Sequence, residues 1–312
     1  MNSICNQGDT TNENVSFVNE IQMMMFGLGD SATPLLSTAI VVEEIVLQQI
    51  ILIISQAEDV AESRGVDGIH PQDILFLMRK DVHKLQRIVD YIGFKEMKRG
   101  VVSSLNEGDM PGLDGLSSTM VEGCWESKRR ITCVQFLQSL GIDLERQSAI
   151  DTVKNERLMR NDLRAQTMTP KMYEDFSYSR RTTFVSARFS NSRFLDWIKE
   201  NCPDCPVHKL RSFSAEMLGY LAKETVAHIV DLALLLRQDM GVTPTDPFSR
   251  AQQTSLPFET FGASHRQLEG PPPISPDEVR EVLRRFYSTH LGPWGAFSSN
   301  LNPAVFNKIL AC

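Results

Sequence analysis

Basic charge is in short supply. The chain of 312 residues sets 32 Lys and Arg against 39 Asp and Glu, a formal net charge of −7. Proteins that grip duplex DNA by its phosphates usually carry a basic excess. Direct DNA binding is therefore disfavoured, and a protein partner with a basic surface is the better electrostatic match. Cysteine is scarce and scattered, at positions 5, 124, 133, 202, 205 and 312. Met1–Val15 is polar and Asn-rich, unlike a secretory segment. An intracellular chain with reduced thiols is the expectation. A long uninterrupted apolar run is missing as well. Ile40–Ile54 is dense in Ile and Val, but it contains Glu43, Glu44, Gln48 and Gln49 and is shorter than the ~20 residues of a membrane span. No membrane partner is expected; a helix buried between packed neighbours is the simpler reading.

Catalytic signatures are lacking too. Gly27-Leu28-Gly29 follows no strand and lacks the further glycine of a dinucleotide loop. His70, His208, His228 and His290 have no nucleophile or metal-ligand companions at motif spacing. Cys202-Pro-Asp-Cys205 with His208 is a single CxxC pair. A structural zinc site takes four ligands, usually from two such pairs. A proline-containing turn is the simpler reading, with zinc binding as the open alternative. Met23-Met24-Met25 reads as core packing ahead of a binding surface. We therefore expect no enzyme activity, no cofactor and no resident metal.

What the sequence does have is helical periodicity. Phe17, Ile21, Met24, Met25 and Leu28 recur at three- and four-residue spacing, the mark of a short amphipathic helix. Gly29–Pro34 stops it. A helix of seven or eight turns follows over about Ser37–Arg64, and Gly65 suits its C-cap. Pro71 fits the first turn of a third, short helix carrying Ile74, Leu75, Leu77 and Met78. A further helix is expected over Val82–Phe94. Short, long, short is the histone-fold layout. A central helix that is apolar on several sides needs a second such fold to cover it.

The pattern returns after residue 190. Phe194, Leu195, Trp197 and Ile198 mark a short helix, Ser214–Met240 a second long one, and Pro276 opens a second short one after a Pro-rich loop, Gly241–Pro273. The two openings align as Ile-His-Pro-Gln-Asp-Ile and Ile-Ser-Pro-Asp-Glu-Val, and Ser275 and Glu278 have capping-box spacing. We read a loose internal duplication. The fold class is all-α, with two histone folds in one chain pairing intramolecularly. The pairing residues are Val42, Ile45, Val46, Ile50 and Ile53 on one long helix and Leu218, Leu221, Ile229, Leu232 and Leu236 on the other. Arg64 and Asp73 bracket the first loop and are expected to pair structurally. The layout is a disordered tail over 1–16, a first fold with an extra C-terminal helix over 17–96, and a partly disordered linker over 97–156. The second fold spans 157–312, with a preceding helical segment, the long loop and a tail. The charged Thr152–Ala165 stretch is expected to be a solvated helix.

FVNEIQMMMFGLGD, VEEIV and SRGVDGIHPQDILFLMRKD in the first half, with RFLDWI, EMLGYLAKETVAHIVDLALLLRQDM, DPFS and the terminal LAC, resemble the suppressor of Ty 3 family. These are double-histone-fold subunits of the SAGA transcription coactivator. The resemblance covers roughly 17–94 and 159–312. It implies a nuclear, non-enzymatic adaptor that sits among other histone-fold and core subunits of SAGA and helps deliver the TATA-binding protein to promoters. The alternative is a histone-fold subunit of another transcription complex that contacts DNA directly. Residues 17–94 argue against it, with five Lys and Arg against eleven Asp and Glu.

Overall fold

The computed structural model describes residues 15–106, 128–144, 150–185, 191–241, 272–288 and 309–310. The expected N-terminal tail up to residue 14, the middle of the expected linker and most of the Pro-rich loop lie outside the described residues. Among the described residues the regular elements are helical, apart from one isolated parallel bridge between Ile69 and Leu210.

Three helices make the first unit: α1 (Val18–Leu28), α2 (Leu36–Ser63) and α3 (Pro71–Leu77). Each boundary has a local cause. Gly29 takes φ 135 at the end of α1 and Gly65 φ 68 after α2, conformations that L-residues avoid. Pro71 opens α3, and the Asp73 carboxylate accepts the His70 N–H at 2.8 Å. An 18-residue window of α2 has a mean hydropathy of 1.9, yet the helix lies in the core, with Val42, Val46, Ile50, Ile53, Ile54 and Ala57 fully buried.

The second unit repeats the order: α8 (Ser192–Asn201), α9 (Ser212–Gly241) and α10 (Pro276–Ser288). Helix α2 packs against α1, α3, α9 and α10, and α9 against α1, α2, α3 and α10, so the two long helices share one core. At one end Phe17 meets Phe184 and Trp197 at 5.1 and 5.3 Å between ring centroids, and Phe194 closes the cluster. Met24 and Met25 are buried and Met23 is exposed.

Two expected boundaries need correction. Helix α4 (Val82–Asn106) runs past Phe94 into the stretch expected as linker, and α5 (Lys128–Ser139) forms within that stretch. Gly93 and Gly100 lie inside α4, and each costs a helix interior only ~1 kcal/mol. Tertiary contacts outweigh them: Cys133 and Leu137 of α5 are buried against the shared core, and Glu216 of α9 holds Lys95 and Arg99 of α4. Helix α6 (Thr152–Thr167) is present as expected; α7 (Pro170–Arg181) had no counterpart in the sequence reading. Thr169-Pro170 is its opening signal: the Thr169 hydroxyl accepts the Met172 N–H at 3.4 Å. Helix α7 lies along α1 so closely that a Cβ on Gly27 would sit 2.8 Å from the Arg180 nitrogen.

Candidate docking interface

The chemistry of this molecule lies in how its two units hold each other. Nine of the ten expected pairing residues are buried: Val42, Ile45, Val46, Ile50 and Ile53 on α2, and Leu218, Leu221, Ile229 and Leu236 on α9. Leu232 is half-buried at the edge of the core. The loop after α2 and the loop before α9 run alongside each other. Ile69 N–H donates to Lys209 O at 2.9 Å, Arg211 N–H donates to Ile69 O at 3.3 Å, and the Ser214 hydroxyl adds a bond to Ile69 O at 2.8 Å.

Each unit carries the same lock between its long helix and its last helix. In the first, Arg64 Nε lies 2.9 Å from Asp73 Oδ1 and Nη2 donates to Oδ2 at 3.1 Å. In the second, Arg237 Nε and Nη2 hold the two Glu278 oxygens at 2.5 and 2.9 Å. Asp73 and Glu278 occupy the same third position of their helices, and each also accepts the N–H of the residue before its helix, at 2.8 and 2.7 Å. Burial alone would raise the Glu278 pKa, but Arg237 and the Ser275 N–H hold it below the usual carboxylate range. Sequence reading found only the first lock, whose partners are nine residues apart; the second spans a long loop.

The charged helix α6 is corrected from a solvated helix to a bridge between the units. It buries no residue completely. Its arginines reach inward instead. Arg157 holds Glu224 and Asp231 of α9 at 3.0 and 2.7 Å, and Arg160 holds Asp231 and Leu28 O at 2.8 and 2.9 Å. Arg164 donates to Phe26 O and Asp30 O at the C-terminal end of α1. Cations there complement the helix dipole. Arg87 of α4 joins through Glu224 and Asp151. Burial disfavours the Arg157 charge, but Glu224 and Asp231 outweigh it and raise its pKa.

Polar side chains also cross between the units inside the core. Asp30 is 1 % exposed and accepts the Ile274 N–H at 2.9 Å, while the Thr38 hydroxyl donates to Ile274 O at 2.6 Å. Burial raises the Asp30 pKa, and the Ile274 and Ser31 N–H groups partly offset it. Cys205 lies beside Cys202, and its thiol is pushed up to about 11, chiefly by burial. Among the described residues no group of three or more His, Cys, Asp or Glu side chains could hold a metal ion.

Residues 15–107 match the family model described as transcription initiation factor IID, 18 kD subunit. The chain is similar to SAGA complex subunit SPT3 of Saccharomyces cerevisiae, 28% identical, covering 85% of this chain and 89% of that protein. It is similar to SAGA complex subunit Spt3 of Drosophila melanogaster, 28% identical over 87% of this chain and 67% of that protein. Transcription initiation factor TFIID subunit 13 of Dictyostelium discoideum is 30% identical, over 29% of this chain and 84% of that protein.

Proposed function

The chain belongs to the family of histone-fold transcription subunits that includes the 18 kD subunit of TFIID, and is a homologue of the SAGA subunit Spt3; from that premise we propose that it is a SAGA coactivator adaptor. In this reading its two helical units are a pair of histone folds closed within one polypeptide. It works in the nucleus without catalysis, takes its place among other histone-fold and core subunits, and helps deliver the TATA-binding protein to promoters.

The observation that carries the reading is the closure of the two units on each other. The adjoining loops at Ile69 and Leu210, the shared α2–α9 core and the bonds of Asp30 and Thr38 to Ile274 all act between segments far apart in sequence. A chain that satisfies its own long helices in this way has its outer surface left for other proteins. Its acidic balance suits a partner with a basic face and opposes the phosphates of bare DNA.

The test is a titration of the full chain with purified TATA-binding protein and with duplex DNA, at two salt concentrations. Binding to the protein that weakens with salt, and negligible affinity for DNA, is expected, because exposed charges are screened over ~10 Å at 0.1 M. Tight DNA binding with none to the TATA-binding protein would favour the DNA-contacting alternative.

A further inference from the structure

Beyond α10, two further described residues lie against the core. Ile309 and Leu310 are 5 % and 0 % exposed, in contact with the shared core. The Leu310 N–H donates to Gln49 Oε1 at 2.6 Å, in the middle of α2. The other half of the same amide, Gln49 Nε2, donates to the Tyr287 hydroxyl of α10 at 3.1 Å. Gln49 is itself 3 % exposed.

A glutamine in the middle of a buried apolar helix is costly unless its amide is engaged at both ends. Here both partners come from the far end of the sequence, 238 and 261 residues on. The bond to Leu310 is made to a backbone N–H, which any residue but proline could offer. The buried Ile309 and Leu310 side chains supply the preference. Backbone capture by one polar group beside apolar pockets is the division of labour by which proteins recognise extended peptides.

The slot adjoins a helix that needs holding. The start of α10 is fixed by Asp30 and Thr38 at Ile274 and by Arg237 at Glu278. Its last turn meets α2 through Tyr287 and Gln49. Leu310 closes the same amide from the other side.

We propose that Gln49 is the receptor group of a peptide slot on α2 and α10, occupied by the Ile309–Leu310 segment of the same chain, which acts as a detachable strap on α10. The strap belongs to the same chain, so its binding is intramolecular and a free peptide competes poorly with it.

The experiment empties the slot in the full chain with Leu310→Asp and offers a fluorescent synthetic peptide of residues 304–312. Saturable binding to the Leu310→Asp chain is expected, at least ten times tighter than to the unsubstituted chain. Adding Gln49→Leu, or placing Leu310→Asp in the peptide, should abolish it. Amide hydrogen exchange supplies a second readout that does not depend on the Leu310→Asp chain folding. In a chain carrying Gln49→Leu alone, the Leu310 amide should exchange about three to ten times faster, the worth of one buried hydrogen bond. Peptide binding unaffected by Gln49→Leu would overturn the proposal, as would an unchanged Leu310 exchange rate. A concentration-dependent dimer of the unsubstituted chain, dissolved by Gln49→Leu, would assign the strap to a second copy and overturn the intrachain form.

Discussion

Single residues decide whether the two units close. Ile50 is fully buried where α2 enters the shared core, whereas Leu232 on α9 is only half-buried. Helical periodicity identifies the apolar stripe but not how far its edge is covered, so the two positions look alike in sequence. A charge at Ile50 has no water and no partner. Ile50→Asp should cost several kcal/mol, a large part of a domain's typical ~5–15 kcal/mol, and abolish cooperative melting. Leu232→Asp should leave a folded chain with a melting temperature a few degrees lower. Equal loss in circular-dichroism melts would show that Leu232 is as buried as Ile50. His228 carries a pH signature. Burial, aided by the cations of Lys84, Arg157 and Arg87 and opposed by Asp231, pushes its pKa down to about 4. Above its unfolded value near 6.5 both states hold a neutral ring. As pH falls from there toward 4 the unfolded chain takes up a proton that the folded chain refuses, so stability drops, by roughly 3 kcal/mol in all. Denaturant titrations at pH 7 and pH 4.5 should show a smaller difference for His228→Phe than for the unsubstituted chain. The Arg64–Asp73 lock could be anticipated because its partners bracket one short loop. Gln49 could not: polar spacing alone does not reveal a partner at residue 310.

Among whole elements, the apolar helices were the legible ones. α1, α2, α8 and α9 bury stripes at three- and four-residue spacing, and that spacing is written in the chain. α6 was misread because a helix bridging by charge and a helix facing water have the same composition. What separates them is the position of Glu224 and Asp231, which belong to another helix. Removing one partner of a buried ion pair leaves the other charge stranded, at a cost of ~3–5 kcal/mol. Arg157 is 15 % exposed and touches both acids. Arg157→Met should therefore destabilise by several kcal/mol. Lys154→Met on the exposed side of the same helix, where Lys154 is 52 % exposed and 4.0 Å from Asp90, should change stability by less than ~1 kcal/mol. Urea unfolding of both variants compares the two costs directly, and equal costs would mean that α6 is merely laid on the surface.

For the molecule as a whole, the sequence announced two copies of one helix order but not the set of contacts that joins them. α4 runs on through Gly100, whose cost tertiary contacts override, α5 buries just Cys133 and Leu137, and α7 lacks a long apolar stripe. If the units are mutual partners, the covalent connection between them is dispensable. Co-expressed fragments 1–144 and 150–312 should copurify as a soluble one-to-one complex, and each alone should aggregate. Two independently soluble, non-associating fragments would show that closure contributes little. The closure also has a consequence in time. α2 is complete at Ser63, but the helix that covers it ends at Gly241. At about 5–20 residues per second, a ribosome needs roughly 10–40 s to make the intervening chain. For most of that interval α2, the most apolar of the long helices among the described residues, is outside the ribosome without α9 to cover it. Newly made chains should therefore depend on a holdase during synthesis far more than finished chains do afterwards, and a pause between Ser63 and Gly241 should lower the yield of soluble protein.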